Sequence, residues 1–97
     1  MRSGIRQSKK RPPHREGLQF LPTKIVARYA DPFIDPHRRA ERERMKRLTR
    51  SITRRGVVDP LIIKVEDGRA QIFDGNHRLA VALRLGIPVL PVDVRYA

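Results

Sequence analysis

Cysteine is absent from these 97 residues. That absence excludes disulfides, thiolate metal sites and thiol nucleophiles together. Long apolar runs are also absent. Stretches such as Leu61–Ile63 or Val89–Leu90 are far too short to cross a bilayer. The N-terminus is basic but lacks the apolar segment of a secretory signal. There is no internal repeat, and the first third of the chain is polar and proline-rich. A single small domain is therefore expected, with its core drawn from roughly the last sixty residues, a size that folds alone with a slim margin. The expected setting is the cytoplasm, with no membrane partner.

What is present in excess is positive charge, +12 in all, and it is concentrated. Residues 1–16 carry Arg2, Arg6, Lys9, Lys10, Arg11 and Arg15 against Glu16 alone. Residues 37–55 carry nine cations against Glu41 and Glu43. The remainder is neutral, with as many acids as bases. Two cationic blocks on a neutral body point to a polyanionic partner, and nucleic acid is the first candidate. Residues 1–16 hold almost nothing apolar, so burial cannot offset the entropy of ordering them. They are expected to form a disordered basic arm, followed by one domain over residues 17–97.

Taken in order, the pieces Leu18–Leu21 and Lys24–Arg28 both favour β structure and flank Pro22. One of them, the second by preference, is expected to pair at a sheet edge. Phe33 and Ile34 are expected to tuck against the core. Asp35 and Pro36 suit a helix N-cap and first position, and Gly56 after Arg54–Arg55 suits a stop, which predicts a helix over 36–55. Met45, Leu48 and Ile52 define its apolar stripe. Arg39, Lys46, Arg47, Arg50 and Arg54 fall on the opposite side and are the candidate nucleic-acid contacts. The competing reading is a solvated face supported by a Glu43–Arg47 pair.

Leu61–Val65 is a strand of branched residues, Asp67-Gly68 a two-residue hairpin turn, and Arg69–Phe73 the returning strand. Leu79, Val81, Ala82, Leu83 and Leu85 make a helix apolar on most sides, hence buried, that Gly86 closes. Val89–Val94 is the last strand, in which Pro91 predicts an edge position or a local irregularity. The fold class is α+β, a small mixed β-sheet with two main helices.

Between the hairpin and the second helix lies Asp74-Gly75-Asn76-His77-Arg78. A polar turn where a strand hands over to a helix aims first-turn N–H groups at its occupant, which suits an anion. Arg78 and His77 can add donors, so a phosphate-holding turn is expected. The alternative is structural capping. Asp74 is the best-placed carboxylate for a divalent metal such as Mg²⁺, ahead of Asp59 and Asp93. Its ordinary role is to accept bonds from the turn's own N–H groups or from Arg78. His77 is the other candidate catalytic residue, as a general base.

Two boxes in this order, Leu48-x-x-Ser51-Ile52-x-x-x-Gly56-Val57-Val58-Asp59-Pro60-Leu61-Ile62-Ile63 and Asp74 to Ala82, followed by Leu85-Gly86 and Val89 to Val94, resemble the ParB/sulfiredoxin superfamily over about half the chain. The resemblance implies a nucleotide site made by both boxes. Gly75, Asn76, His77 and Arg78 would hold the triphosphate, while the loop from Gly56 through Asp59 and Pro60 would lie along the nucleoside. The implied cofactor is a nucleoside triphosphate, CTP or ATP, with Mg²⁺. Sulfiredoxin chemistry is excluded, because Asn76 stands where those proteins carry their cysteine. Relative to the ParB pattern Gly-Glu-Arg-Arg-x-Arg, Asn76, His77 and Ala80 replace the Glu, the first Arg and the last Arg, which implies a weaker phosphate grip. Asp59 replaces the Gln or Thr common in the first box. No helix-turn-helix follows the last strand, so operator reading by that route is not expected.

Two functions follow. One is a ParB-like nucleotide-binding module acting on or beside DNA, with nucleotidase or nuclease activity open. The other is a non-catalytic DNA- or RNA-binding adaptor, of the kind phages and plasmids carry, whose nucleotide pocket is vestigial. A small-molecule kinase of the same superfamily would need a second acid at the turn, and none is evident.

Overall fold

The computed structural model describes residues 15–30 and 39–97. Strand β1 (Gly17–Pro22) leads into a single helical turn, α1 (Thr23–Val26), and a 3-10 turn over Ala27–Tyr29. Helix α2 (Arg39–Arg55), the hairpin β2 (Leu61–Glu66) and β3 (Arg69–Asp74), helix α3 (Asn76–Leu85) and strand β4 (Val89–Tyr96) follow. The four strands form one mixed sheet in the order β1-β4-β2-β3. Its central pair, β2 and β4, is parallel, and both outer pairings are antiparallel.

The period-two pattern of the strands decides which face is covered. Leu61, Ile63 and Val65 of β2 and Leu90, Val92 and Val94 of β4 all point inward and are buried. Each such aliphatic side chain contributes about 1.5–3 kcal/mol on burial. Leu79 and Ala82 of α3 complete this cluster, together with Val26 and Ile72. Val81 of α3 instead joins Met45 and Ile52 of α2 in a second cluster, with Val57 and Ile87 touching both. The molecule is thus layered, with α3 held between the sheet and α2.

Among the described residues, no helix packs on the opposite face of the sheet. Leu18 and Phe20 on β1 are 70% and 73% exposed, and Phe73 on β3 lies under the ammonium of Lys64 at 4.8 Å.

Several expectations are corrected. The first β-favouring piece, not the second, is the edge strand. Residues 23–26 turn helical because Thr23 is tied to the loop ahead of β4. Its N–H donates to Pro88 O at 2.8 Å and its hydroxyl to Ile87 O at 2.6 Å. That anchoring seats Val26 in the core, where it is fully buried. Pro91 sits in a central strand, since β4 pairs with both β1 and β2. Pro91 itself is paired on one side only, opposite Phe20 of β1. It lies one residue before the pairing with β2 begins at Val92, so its missing N–H falls where β4 still has a free edge. Helix α3 is less enclosed than its composition predicts, with Leu83 and Leu85 at its last turn exposed. Glu43 lies 3.9 Å from Lys46 rather than pairing with Arg47.

The Asp67-Gly68 turn is present, both residues having positive φ (53° and 75°), as a two-residue hairpin requires. The basic arm up to residue 14, the tucking of Phe33 and Ile34 and the Asp35-Pro36 helix start lie outside the described residues. No helix among the described residues is long and apolar enough to cross a membrane.

Candidate functional site

The turn from Asp74 to Arg78 is shaped by two departures from regular structure. A register shift between Ile62 and Ile63 leaves Phe73 as the extra residue on β3, so that Ile62 faces Asp74 while Ile63 faces Ile72. Such a bulge re-aims the end of its strand. Gly75 then adopts φ 112°, ψ 11° as the N-cap of α3, and its carbonyl accepts the N–H of Leu79 at 2.9 Å. A side chain at this position is excluded twice. The φ is one that L-residues rarely adopt, and a Cβ would lie 2.6 Å from Leu61 Cγ. The turn is therefore pressed against the first residue of β2, which directly follows Asp59-Pro60.

That close approach brings the two boxes together. Arg78 Nη1 donates to the carbonyl oxygens of Asp59 at 2.8 Å and Pro60 at 3.4 Å. Its Nη2 donates to Asp74 Oδ2 at 3.3 Å. The Arg78 side chain is only 17% exposed, against 63% for that of Asp74. Asn76 reaches back with Nδ2 to Ile72 O at 3.5 Å, the long limit of a hydrogen bond. Asn76 and His77 are half-buried in the first turn of α3. At the other end of the loop, Gly56 N–H caps α2 through Ile52 O at 2.7 Å.

Of the sequence-predicted site residues, Asp59, Pro60, Asp74 and Arg78 are thus in direct contact, and Gly75 is packed beside them on Leu61. Of the two roles weighed for Asp74, its bond to Arg78 is present. No group of three or more His, Asp or Glu that could hold a metal ion occurs among the described residues. Asp74 with Arg78 against it is then a single, already partnered carboxylate. Asp93 is paired elsewhere, with Arg95 at 3.1 Å. A concavity on the β2–β3 hairpin, lined in part by Lys64, Glu66, Arg69 and Gln71, mixes both signs of charge and does not include the turn. The two carbonyl acceptors on Asp59 and Pro60 were not legible in the sequence, because backbone oxygens leave no residue-type signal. The spacing of Asp74 and Arg78, four residues apart across a helix start, was.

The candidate nucleic-acid contacts occupy a different surface. Lys46, Arg47, Arg50 and Arg54 are all exposed on α2, opposite the buried Met45 and Ile52. Arg39 opens the helix, and its side chain lies outside the described residues.

Comparison with known proteins identifies the family and the fold. The model of the ParB N-terminal domain family matches residues 8–97. A probable chromosome 2-partitioning protein ParB from Deinococcus radiodurans is 37% identical over 60 residues, which is 62% of this chain and 20% of that protein. The chain therefore spans about a fifth of that relative's length. Among solved structures, C-terminally truncated ParB from Caulobacter crescentus, complexed with CTP-gamma-S, superposes with a TM-score of 0.64. It is 28% identical, and the match covers 84% of this chain and 45% of that one. Sulfiredoxin from Arabidopsis thaliana shares the fold, with a TM-score of 0.60 at 24% identity over 82% of this chain and 85% of that one. With both boxes joined on this fold and the family match running over nearly the whole sequence, the chain belongs to the ParB N-terminal domain family.

Proposed function

We propose that this domain binds a nucleoside triphosphate between the Gly56–Pro60 loop and the Gly75–Arg78 turn, and binds DNA through α2 beside it. The observation that carries the reading is the contact of Arg78 with Asp59, Pro60 and Asp74, which makes one site of two distant boxes. The Caulobacter relative with this fold was solved with a CTP analogue, so CTP is the first nucleotide to try and ATP the second. Phosphate oxygens would lie on the first turn of α3, where backbone donors and the helix dipole favour negative charge. Asn76 and His77 would line them. Gly56, Asp59 and Pro60 would face the nucleoside.

Mg²⁺ on this reading would come with the nucleotide and would offset phosphate charge. Asp74 is the protein carboxylate nearest to hand, at the cost of loosening its bond to Arg78. For bond cleavage, His77 is the candidate base, in the first turn where the phosphates would lie. On α2 the exposed cations would release counterions from duplex DNA without reading its sequence, and the setting on this reading would be the nucleoid.

The second reading, a DNA- or RNA-binding adaptor whose pocket is unused, is favoured by one feature. Asn76, His77 and Ala80 carry less fixed positive charge than the Glu-Arg-Arg-x-Arg run of ParB, and the arginine that remains is already engaged. Equilibrium binding of labelled CTP and ATP, with and without Mg²⁺, separates the two. Saturable binding of either nucleotide supports the site, and no binding of either at millimolar concentration leaves the adaptor.

A further inference from the structure

Arg78 is the residue that a phosphate-holding turn most obviously offers to its ligand, yet its guanidinium is turned toward the protein. Its two terminal nitrogens meet three acceptors, 19, 18 and 4 residues away in sequence. Only 17% of the side chain remains exposed. We infer that Arg78 is a positioning residue. It fastens the Gly56–Pro60 loop in the shape that receives a nucleoside, and this fastening, rather than a phosphate contact, is its contribution to recognition. The inference rests on the nucleotide-site reading above and assigns the discrimination of a nucleotide from a bare polyphosphate to this one side chain.

The loop needs such a fastener. It has no regular structure between Gly56 and Pro60. Its first residue is held to α2 by the Gly56 bond to Ile52, and Val57 packs into both apolar clusters. Beyond Val57 the hold from packing ends, since Val58 and Asp59 are exposed. The loop's last two carbonyls, on Asp59 and Pro60, are the ones that Arg78 takes. A planar guanidinium can reach two adjacent carbonyls and a carboxylate at once because its donors form a rigid fork, which the single ammonium of lysine does not reproduce. Asp74 completes the arrangement by orienting the guanidinium from the turn side. If Arg78 rotated outward to meet a phosphate, Asp59 and Pro60 would lose their donors, and the loop would lose its tie to the turn.

The test compares the unaltered protein with Arg78→Ala and Arg78→Lys, each titrated with CTP, ATP and inorganic tripolyphosphate. Nitrogen spin relaxation of the loop amides is followed in the absence of ligand, and the thermal midpoint of each variant confirms folding. A positioning role gives a loss of about ten-fold or more in nucleotide affinity for both variants, the size of one charge-assisted contact. Tripolyphosphate affinity changes by less than about two-fold. The amides of Val57, Val58 and Asp59 become more mobile on the ps–ns timescale in both variants. Equal loss for nucleotide and tripolyphosphate in Arg78→Ala, with recovery of both in Arg78→Lys, overturns the inference in favour of direct phosphate contact. Unchanged loop mobility also overturns it.

Failure of the underlying reading looks different, because the unaltered protein then binds neither nucleotide nor tripolyphosphate. Relaxation of the loop amides alone then decides whether Arg78 fastens the loop. If Arg78→Ala does not fold, Arg78→Lys carries the comparison, since it keeps the charge and the aliphatic stem while removing the fork.

Discussion

Helices α2 and α3 pack against each other, and they spend their residues in opposite ways. Helix α3 lies between two layers, giving Leu79 and Ala82 to the sheet and Val81 to α2. Its N-terminus is held by Gly75 on Leu61 and by Arg78 on the preceding loop. Helix α2 buries a narrow stripe, Met45 and Ile52 with Leu48 partly covered, and leaves a long cationic surface to solvent. One helix is an integral part of the core and site, while the other is a charged rod laid on top. Stability and ligand geometry should therefore depend on α3, and long-range attraction on α2.

The sharpest way to break this division is at the start of α3. Gly75→Ala is expected to destabilise the domain by about 3 kcal/mol, from backbone strain together with a contact that Leu61 cannot relieve without moving. A denaturant-midpoint shift of less than about 0.5 kcal/mol would show that the turn is not pressed on β2. Next in size is a pair of truncations. Leu79→Ala should cost about 3–4 kcal/mol and Met45→Ala about 2 kcal/mol, because the larger cluster closes around Leu79 on all sides, whereas Met45 sits at the margin of a small one. Equal losses in urea unfolding would mean that α2 belongs to the core as fully as α3 does.

The converse prediction concerns charge. Replacing Arg47, Arg50 and Arg54 together by Ala should leave stability within about 0.5 kcal/mol, since all three are exposed. It should also reduce the slope of log affinity against log salt for duplex DNA by about three. An unchanged slope would remove α2 from the DNA interface, and a loss confined to one DNA sequence would mean base reading instead of phosphate contact.

The smallest effect is a titration on the sheet side. Burial raises the Tyr29 hydroxyl above its ordinary value of 10.0, with Arg28 opposing and Tyr96 reinforcing the shift. A folded pKa above the unfolded one means that this group's contribution is fully present below pH 10. It is lost as pH rises through the folded value. Stability measured across that alkaline window should fall less steeply in Tyr29→Phe than in the unaltered protein.

Much of this arrangement was written in local chemistry. The branched run Leu61–Val65, the Asp67-Gly68 hairpin and the apolar residues of α3 identify their elements, because propensity, period and turn geometry act over a few residues. The two boxes identify the family. The charge blocks are equally local, being a matter of counting along the chain. Pairing was harder to read. The choice between Leu18–Leu21 and Lys24–Arg28 as edge strand depended on Thr23 meeting Ile87 and Pro88, more than sixty residues away. The central place of β4 depended on β1 and β2 closing on its two sides, which no feature of Val89–Tyr96 announces.

By itself, then, the sequence determined the family, the mixed α+β class, the cationic helix and a polar turn at the head of a buried one, since each follows from residues near one another in the chain. The tertiary structure alone decided that Arg78 faces Asp59 and Pro60 rather than open solvent, and that Gly75 admits no side chain. Both outcomes follow from the approach of the α3 turn to the start of β2. Backbone carbonyls and a missing Cβ acquire meaning only when distant segments come within a few ångströms of each other.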